Sequence, residues 1–522
     1  VKIELLDTTL RDGAQGEGIS FSIDDKINIV KALDEFGIPL IEAGNPASNP
    51  KDEALFSALS GTSLKNARLA AFGSTRRKNA AARDDKAVRK LAAMSVGVIV
   101  IFGKCSDMHV EKVLCTTKKE NIGMISDTIA FLRRAGKEVI FDAEHFFDGY
   151  KRNPEYAMDT LRAAEAAGAC RVVLCDTNGG AFPDEIEAAV KKAAGVLRVP
   201  LGIHTHNDTG FADANTVQAV LAGVSHVQGT FIGFGERCGN ASLSTVIPAL
   251  QLKRGYECVP FGNLASLTDT ARYIAEIANV TIPKTAPYIG DGAFAHKGGM
   301  HIDGVSKLRE SFEHIDPELV GNERRFLISE VSGRTSVLGK MKKIAPELTK
   351  DSPELGRILL KLKELENEGF QFESADSSFE LFIRKELGME RHFFELEQFK
   401  IIGEQPAIEK NSVSAIVKIK VDNISEMTAA QGEGPVNALD RALRRALEVF
   451  YPVIGKIHLI DYKVRVLDPK DATAARVRVL ISSTDGDRVW TTVGVSNDVI
   501  QASWMALVDS FEYKLLHDTE RV

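Results

Sequence analysis

The chain has 522 residues, 44% hydrophobic and 26% charged, with 65 Lys+Arg against 72 Asp+Glu and a formal net charge of −7. Apolar content this high with so little charge excess excludes a disordered chain, and the missing basic surplus argues against a nucleic-acid binder. The length accommodates two to four domains of about 100–200 residues each.

No uncharged apolar run reaches about 18 residues, so no membrane-spanning helix is expected. Charges interrupt Val1–Asp7 too often for a signal peptide, and a cytoplasmic location is expected. Cys105, Cys115, Cys170, Cys175, Cys238 and Cys258 form no Cys-x-x-Cys pair, which suits free thiols better than a disulfide framework.

Short β-branched runs alternate with Ala/Leu/Lys-rich helical stretches. The runs are Ile3–Leu6, Pro39–Glu42, Arg68–Phe72, Gly97–Phe102, Glu138–Phe141, Arg171–Cys175, Leu201–His204 and Val227–Ile232. Eight strands about 25–40 residues apart are the arithmetic of a (β/α)8 barrel. The intervening stretch Asp24–Phe36 carries Ile27, Val30, Leu33 and Phe36 near helical spacing. A doubly wound open sheet would need a Gly-rich loop after the first strand, and Asp7–Gly13 is not one.

Polar residues cluster just after these strands: Arg11 and Asp12, Glu42 and Asn45, Asp142, Glu144 and His145, Asp176, Thr177 and Asn178, His204, His206, Asn207 and Asp208, then Glu236, Arg237 and Asn240. In a barrel all of these ends share one face, where active sites sit. His204-Thr-His206 puts two imidazoles on one side of a strand. As an isolated pattern it reads more readily as a pair of helix-cap or surface histidines. With Asp12, it makes a divalent-metal site with open coordination positions, and Asn240 can add an oxygen. Mixed N/O ligands suit Mn, Mg, Co or Zn. Arg11 beside such a metal would stabilise an oxyanion, or would form a rim salt bridge. Glu144 would orient that arginine or move protons. Thr177 offers a hydroxyl to a substrate carboxylate, while Asp176–Gly180 also reads as a helix-capping turn.

These residues carry a family resemblance. Asp7–Gln15, Ile41–Pro46, His204–Asp208 and Gly233–Asn240 resemble the motif blocks of the DRE-TIM metallolyases. Within them the chain resembles the 2-isopropylmalate, homocitrate and citramalate synthases, the citramalate branch above all, through Ser48–Asp52, Phe72–Arg76, Asp142–Tyr150, Ala293–His301 and Asp461–Asp468. The resemblance implies Asp12, His204, His206 and Asn240 as metal ligands. It implies Arg11 as the enolate or alkoxide stabiliser, Glu144 as an acid/base or Arg-orienting residue, and Thr177 as a keto-acid contact. His301 would be a catalytic histidine that reaches a partner subunit's site, hence a homodimer. The implied reaction joins acetyl-CoA to pyruvate and hydrolyses the thioester. A sibling synthase acting on 2-oxoisovalerate, a lyase running the reverse chemistry and a catalytically inactive amino-acid sensor are the alternatives. Asn45 stands where the branch has Trp, a change near the barrel mouth that bears on specificity, and Ser332–Ser336 departs from the branch pattern.

Beyond the barrel, Leu264–Ile277 reads as a helix, His296 as structural, and residues 346–370 as an amphipathic connector helix. The expected division is a barrel over 1–260, a helical connector carrying His301 over 261–391, and an α+β regulatory domain over 392–522. In that last part Thr428–Val449 matches Thr492–Tyr513 at a constant offset, an internal duplication of strand, loop and helix. Gln431–Pro435 opens the first of these helices and suits either a carboxylate or a plain cap. The region resembles the regulatory dimer domain of isopropylmalate synthases, which implies an amino-acid effector, isoleucine for this branch.

Overall fold

The computed structural model describes residues 1–327, 337–338, 341–342, 344–349, 351–403, 413–467 and 475–519. The departure at Ser332–Ser336 and the end of the Asp461–Asp468 motif lie outside these. The chain divides into two compact units, Val1–Phe294 with His314–Arg324, and Ala295–Glu313 with Arg325–Val522.

The first unit is a closed parallel barrel in sequential order. Its strands are β1 Glu4–Asp7, β2 Leu40–Gly44, β3 Arg68–Ser74, β4 Val98–Lys104, β5 Glu138–Glu144, β6 Arg171–Asp176, β7 Leu201–Thr205 and β8 His226–Gly229. All eight expected strands are present, and β8 pairs back onto β1 through Leu5 and Val227. The last strand stops at Gly229 rather than Ile232, because Thr230 leaves β7 and bridges to Ser242 instead. Leu6, Leu40, Ala70, Val98, Val100, Ile140, Val173 and Cys175 fill the barrel interior. A larger apolar layer joins the outer strand faces to the helices.

The helix Ile23–Phe36 forms where the periodicity places it. Ser22 and Asp25 close a capping box at its start, and Gly37 ends it at φ 98°. The helix expected from Leu264 begins at Leu267, preceded by a 3-10 turn over Phe261–Ser266.

In the second unit, the connector helix runs Pro353–Glu368 rather than from 346, since proline suits the first turn of a helix and not its interior. The duplication is structural. Strands Glu395–Gly403, Val413–Val421 and Ile424–Gly432 precede the helix Pro435–Glu448. Strands His458–Val466, Val477–Thr484 and Val489–Ser496 precede Val499–Thr519. The first strand of each set carries a register shift at the equivalent place. Thr428 Oγ1 donates to Ala442 O at 2.6 Å, and Thr492 Oγ1 donates to Ala506 O at 2.7 Å, the same strand-to-helix clamp in each copy. Gly434 occupies the N-cap of the first repeat helix, a plain turn with no side-chain cap. His296 is buried against Glu313 at 3.0 Å, a structural pair as expected.

Candidate active site

At the carboxyl ends of the barrel strands, a cavity of about 200 Å³ is lined by Arg11, Asp12, Gln15, Phe72, Phe102, Asp142, Glu144, Cys175, Thr177, His204, His206 and Glu236. Six of these are residues to which the sequence assigns a role, brought together from four strand ends.

The turn after β1 sets two of them. Asp7 caps the N–H of Thr9 at 2.9 Å, and Thr8 O accepts from the N–H groups of Arg11, Asp12 and Gly13. Buried Lys26 ties this turn to the next one, since its Nζ donates to Leu10 O at 3.1 Å and to Asp52 at 2.6 Å. Asp52 also accepts the N–H of Asn45 at 2.8 Å. Gly44, at φ 144°, has no room for a Cβ beside that carboxyl. Asn45 therefore serves this junction, and it is not among the cavity-lining residues.

Arg11 is fixed on three sides. Its Nε donates to fully buried Glu42 at 2.5 Å, its Nη1 to Asp12 at 2.8 Å, and its guanidinium lies 3.9 Å over the Phe72 ring. Burial alone would lower its pKa, but Glu42 and Asp12 outweigh that and hold it above the ordinary arginine value. The expectation that Glu144 orients Arg11 is corrected. Glu144 pairs with Lys104 at 2.6 Å, and Glu42 does the orienting. Glu42 is the middle residue of β2, whose five residues are all buried, so only closure of the barrel reveals its partner.

Asp12, His204 and His206 present ligand atoms that all lie within 4.8 Å of one another and can hold a metal ion. The two Nε2 atoms are 3.3 Å apart, at 3.8 and 3.9 Å from Asp12 Oδ2. Burial, then the neighbouring His206, pushes His204 down to about 3, and burial lowers His206 as well. Both rings are thus neutral at pH 7, with lone pairs available. Burial pulls the Asp12 carboxyl up, but Arg11 and the two histidines hold it below the usual range, so it is ionised. Asn240 donates Nδ2 to Asp12 Oδ1 at 2.7 Å, which leaves its buried Oδ1 without a partner. A Cβ on Gly235 would sit 2.1 Å from that Asn240 amide. Neutral nitrogens, an ionised carboxylate and an orphaned amide oxygen in one buried cluster fit a divalent cation.

Thr177 Oγ1 accepts the His145 N–H at 2.8 Å, so its own proton is free to be donated into the cavity. Arg237, at φ 56°, steadies this turn through Thr177 O at 2.7 Å and Asp208 at 2.8 Å. Asp142 accepts from Gln228 Nε2 at 2.9 Å, and burial followed by the charge of Glu42 pushes it up to about 8. Phe72 and Phe102 stack at 5.2 Å and wall one side. The sequence places Asp142 and Arg237 at strand ends without a role, Phe72 enters only as the first residue of the Phe72–Arg76 motif, and nothing singles out Phe102. His301 lies in the second unit, exposed on the helix Gly299–Lys307, with its ring stacked on Phe312 at 4.1 Å. It is not among the residues lining the barrel cavity.

The comparisons now decide the family. Residues 2–274 match the HMGL-like model, 288–369 the homocitrate synthase post-HMGL domain-like model, and 373–515 the LeuA allosteric (dimerisation) domain. The (R)-citramalate synthase of Aquifex aeolicus is 49% identical over 521 residues, covering 99% of both chains. That of Geobacter sulfurreducens is 47% identical over 521 residues, covering 100% of this chain and 98% of its own. The chain belongs to the (R)-citramalate synthase family. Membership makes it an acyltransferase-type condensing enzyme. The HMG-CoA lyase structure from Brucella melitensis is similar over 53% of this chain and 99% of its own, at 20% identity and a TM-score of 0.46. Among the described residues no helix is long and apolar enough to cross a membrane.

Proposed function

We propose that the chain condenses acetyl-CoA with pyruvate and hydrolyses the thioester, releasing (R)-citramalate and CoA. The observation that carries this is the convergence of Arg11, the Asp12–His204–His206 cluster and the Thr177 hydroxyl on one 200 Å³ cavity. Asp12, His204, His206 and Asn240 would hold a divalent cation (Mn, Mg, Co or Zn), which would supply Lewis-acid polarisation of the keto-acid carbonyl.

The chain's own groups do the rest. Thr177 donates its hydroxyl proton to the keto-acid carboxylate. Glu144 or His301 takes a proton from the acetyl methyl of acetyl-CoA. The carbon so freed attacks the carbonyl carbon, the C=O π electrons move onto oxygen, and Arg11 stabilises the charge that develops there. Protonation gives the tertiary alcohol, and water then displaces CoA from the thioester. Arg11 is suited to this because Glu42 and Phe72 fix its plane before substrate arrives, so no reorganisation is needed at the moment of reaction.

The Phe72–Phe102 wall favours the methyl group of pyruvate over the branched side chain of 2-oxoisovalerate. Side-by-side kcat/KM values for the two keto acids, with the product identified by mass spectrometry, test the reading. A higher value with 2-oxoisovalerate would overturn it. The dimerisation-domain match supports a homodimer, the arrangement in which His301 can serve a partner's site. Cytoplasmic chemistry suits a substrate pair of this kind. Isoleucine is the proposed effector of the duplicated unit. It should inhibit the full chain and raise its Tm, and inhibition by leucine alone would reassign the effector.

A further inference from the structure

The metal cluster draws on two neighbouring segments that the barrel itself does not hold together. Pairing between β7 and β8 ends at His204 and Gln228. Beyond that point the strands diverge, and residues 239–243 fill the gap as a short extra rim strand. Asn240 bridges antiparallel to His206, and Ser242 bridges parallel to Thr230. Ala241 N–H donates to Thr205 O at 3.0 Å, Thr230 N–H to Ala241 O at 3.1 Å, and Asn207 N–H to Gly239 O at 2.9 Å.

A neighbouring helix also anchors this rim strand. Asp213, in the first turn of the helix Ala212–Leu221, accepts the Ser242 N–H on its Oδ1 at 2.7 Å. The same turn grips the other side of the cluster. Thr205, between the two histidines, donates Oγ1 to Ala212 O at 3.0 Å and shares a hydrogen bond with Thr216 Oγ1 at 2.9 Å. Asn207 Oδ1 accepts the Ala212 N–H at 3.2 Å. One helical turn thus sets the spacing between His204–His206 and Asn240. It does so from behind, without touching the cavity.

We infer that Asp213 is a positioning residue for Asn240, holding the 239–243 rim strand in register with β7 so that the Asn240 side chain closes the Asp12–His204–His206 cluster. This rests on the metal reading of that cluster. Without the Asp213 acceptor the Ser242 N–H is left unsatisfied, and the rim strand loses its tie to the helix that also grips Thr205 and Asn207. Groups standing behind metal ligands in this way typically tune affinity by about 10–100-fold.

The test is Mn²⁺ titration of the metal-stripped full chain by calorimetry, with steady-state kinetics alongside. Asp213→Ala should weaken Mn²⁺ binding at least about tenfold. Asp213→Asn keeps an oxygen acceptor for Ser242 and should stay within about threefold of the parent. Asp34→Ala is the control for mere destabilisation. Asp34 is a carboxylate accepting the backbone N–H groups of Lys65, Asn66 and Ala67 at the opposite end of the barrel. It should lower Tm and leave the Mn²⁺ Kd unchanged. An unchanged Kd in Asp213→Ala, or an equal loss in Asp34→Ala, overturns the inference. Failure of the parent chain to bind Mn²⁺ at all overturns the metal reading and the inference together.

Discussion

Arg11→Gln separates catalytic electrostatics from packing, because the arginine is half of a buried ion pair. Its side chain is 13% exposed and Glu42 is fully buried, with 2.5 Å between them. Loss of a preorganised oxyanion donor costs about 10²–10³ in kcat, or about 2.7–4 kcal/mol. Breaking a buried pair by removing one partner costs a further ~3–5 kcal/mol of stability, since the remaining carboxylate is stranded. For a unit of this size that lowers Tm by about 5–10 °C. The double variant Arg11→Gln/Glu42→Gln removes the stranded charge, so Tm should recover most of its loss while kcat stays down. Thermal melts of the parent, both single variants and the double variant, paired with kcat from CoA release, complete the cycle. Recovery of kcat together with Tm in the double variant would refute the reasoning, because it would show that Arg11 acts only by holding the fold. A near-parent kcat in Arg11→Gln would refute it more simply.

Phe102→Ala removes half of the stacked wall, and the ratio of kcat/KM for 2-oxoisovalerate to that for pyruvate should rise about tenfold or more, since each added methylene is worth about 1–3 kcal/mol; an unchanged ratio would place the specificity wall elsewhere. Removal of divalent ions by a chelator should abolish turnover and lower Tm by the lost binding linkage, with both restored by Mn²⁺; full activity after exhaustive chelation would remove the metal from the reaction. In the regulatory unit, burial, then Asp509 and Glu390, pushes Glu512 up to about 8. Between about pH 4.5 and 8 the folded state holds a proton that the unfolded state has lost, so stability falls as pH rises through that window. Glu512→Gln should therefore raise Tm at pH 8, by on the order of 2 kcal/mol of stability, and leave it nearly unchanged at pH 5. Parallel Tm profiles of the two proteins across that range would show that the carboxyl is not held protonated.

Much of the site was legible because barrel geometry turns a linear pattern into a spatial one. Strand ends 25–40 residues apart must meet at one rim, so Arg11, Asp12, Thr177, His204 and His206 were identifiable from position and chemistry alone. Asn240 followed from its place after the last strand. Glu144 was found, but its partner was not. Whether it faces Arg11 or Lys104 depends on which neighbouring side chain occupies the space across β4 and β5, a matter of side-chain packing and not of spacing. Asn45 follows the second strand in sequence, and its backbone N–H is taken by Asp52 at the Lys26–Asp52 junction, a contact that spacing does not show.

The linear chain by itself determined the eight-strand rhythm, the grouping of polar residues at the strand ends and the duplication whose two copies share a threonine clamp. These depend on local propensity and on repeated spacing, which survive without coordinates. Only the tertiary structure decided that Glu42 orients Arg11, that Phe72 and Phe102 form a wall, and that Asp213 stands behind Asn240. Each of those joins residues about 30 positions apart, and the approach that makes the contact exists only once the barrel has closed.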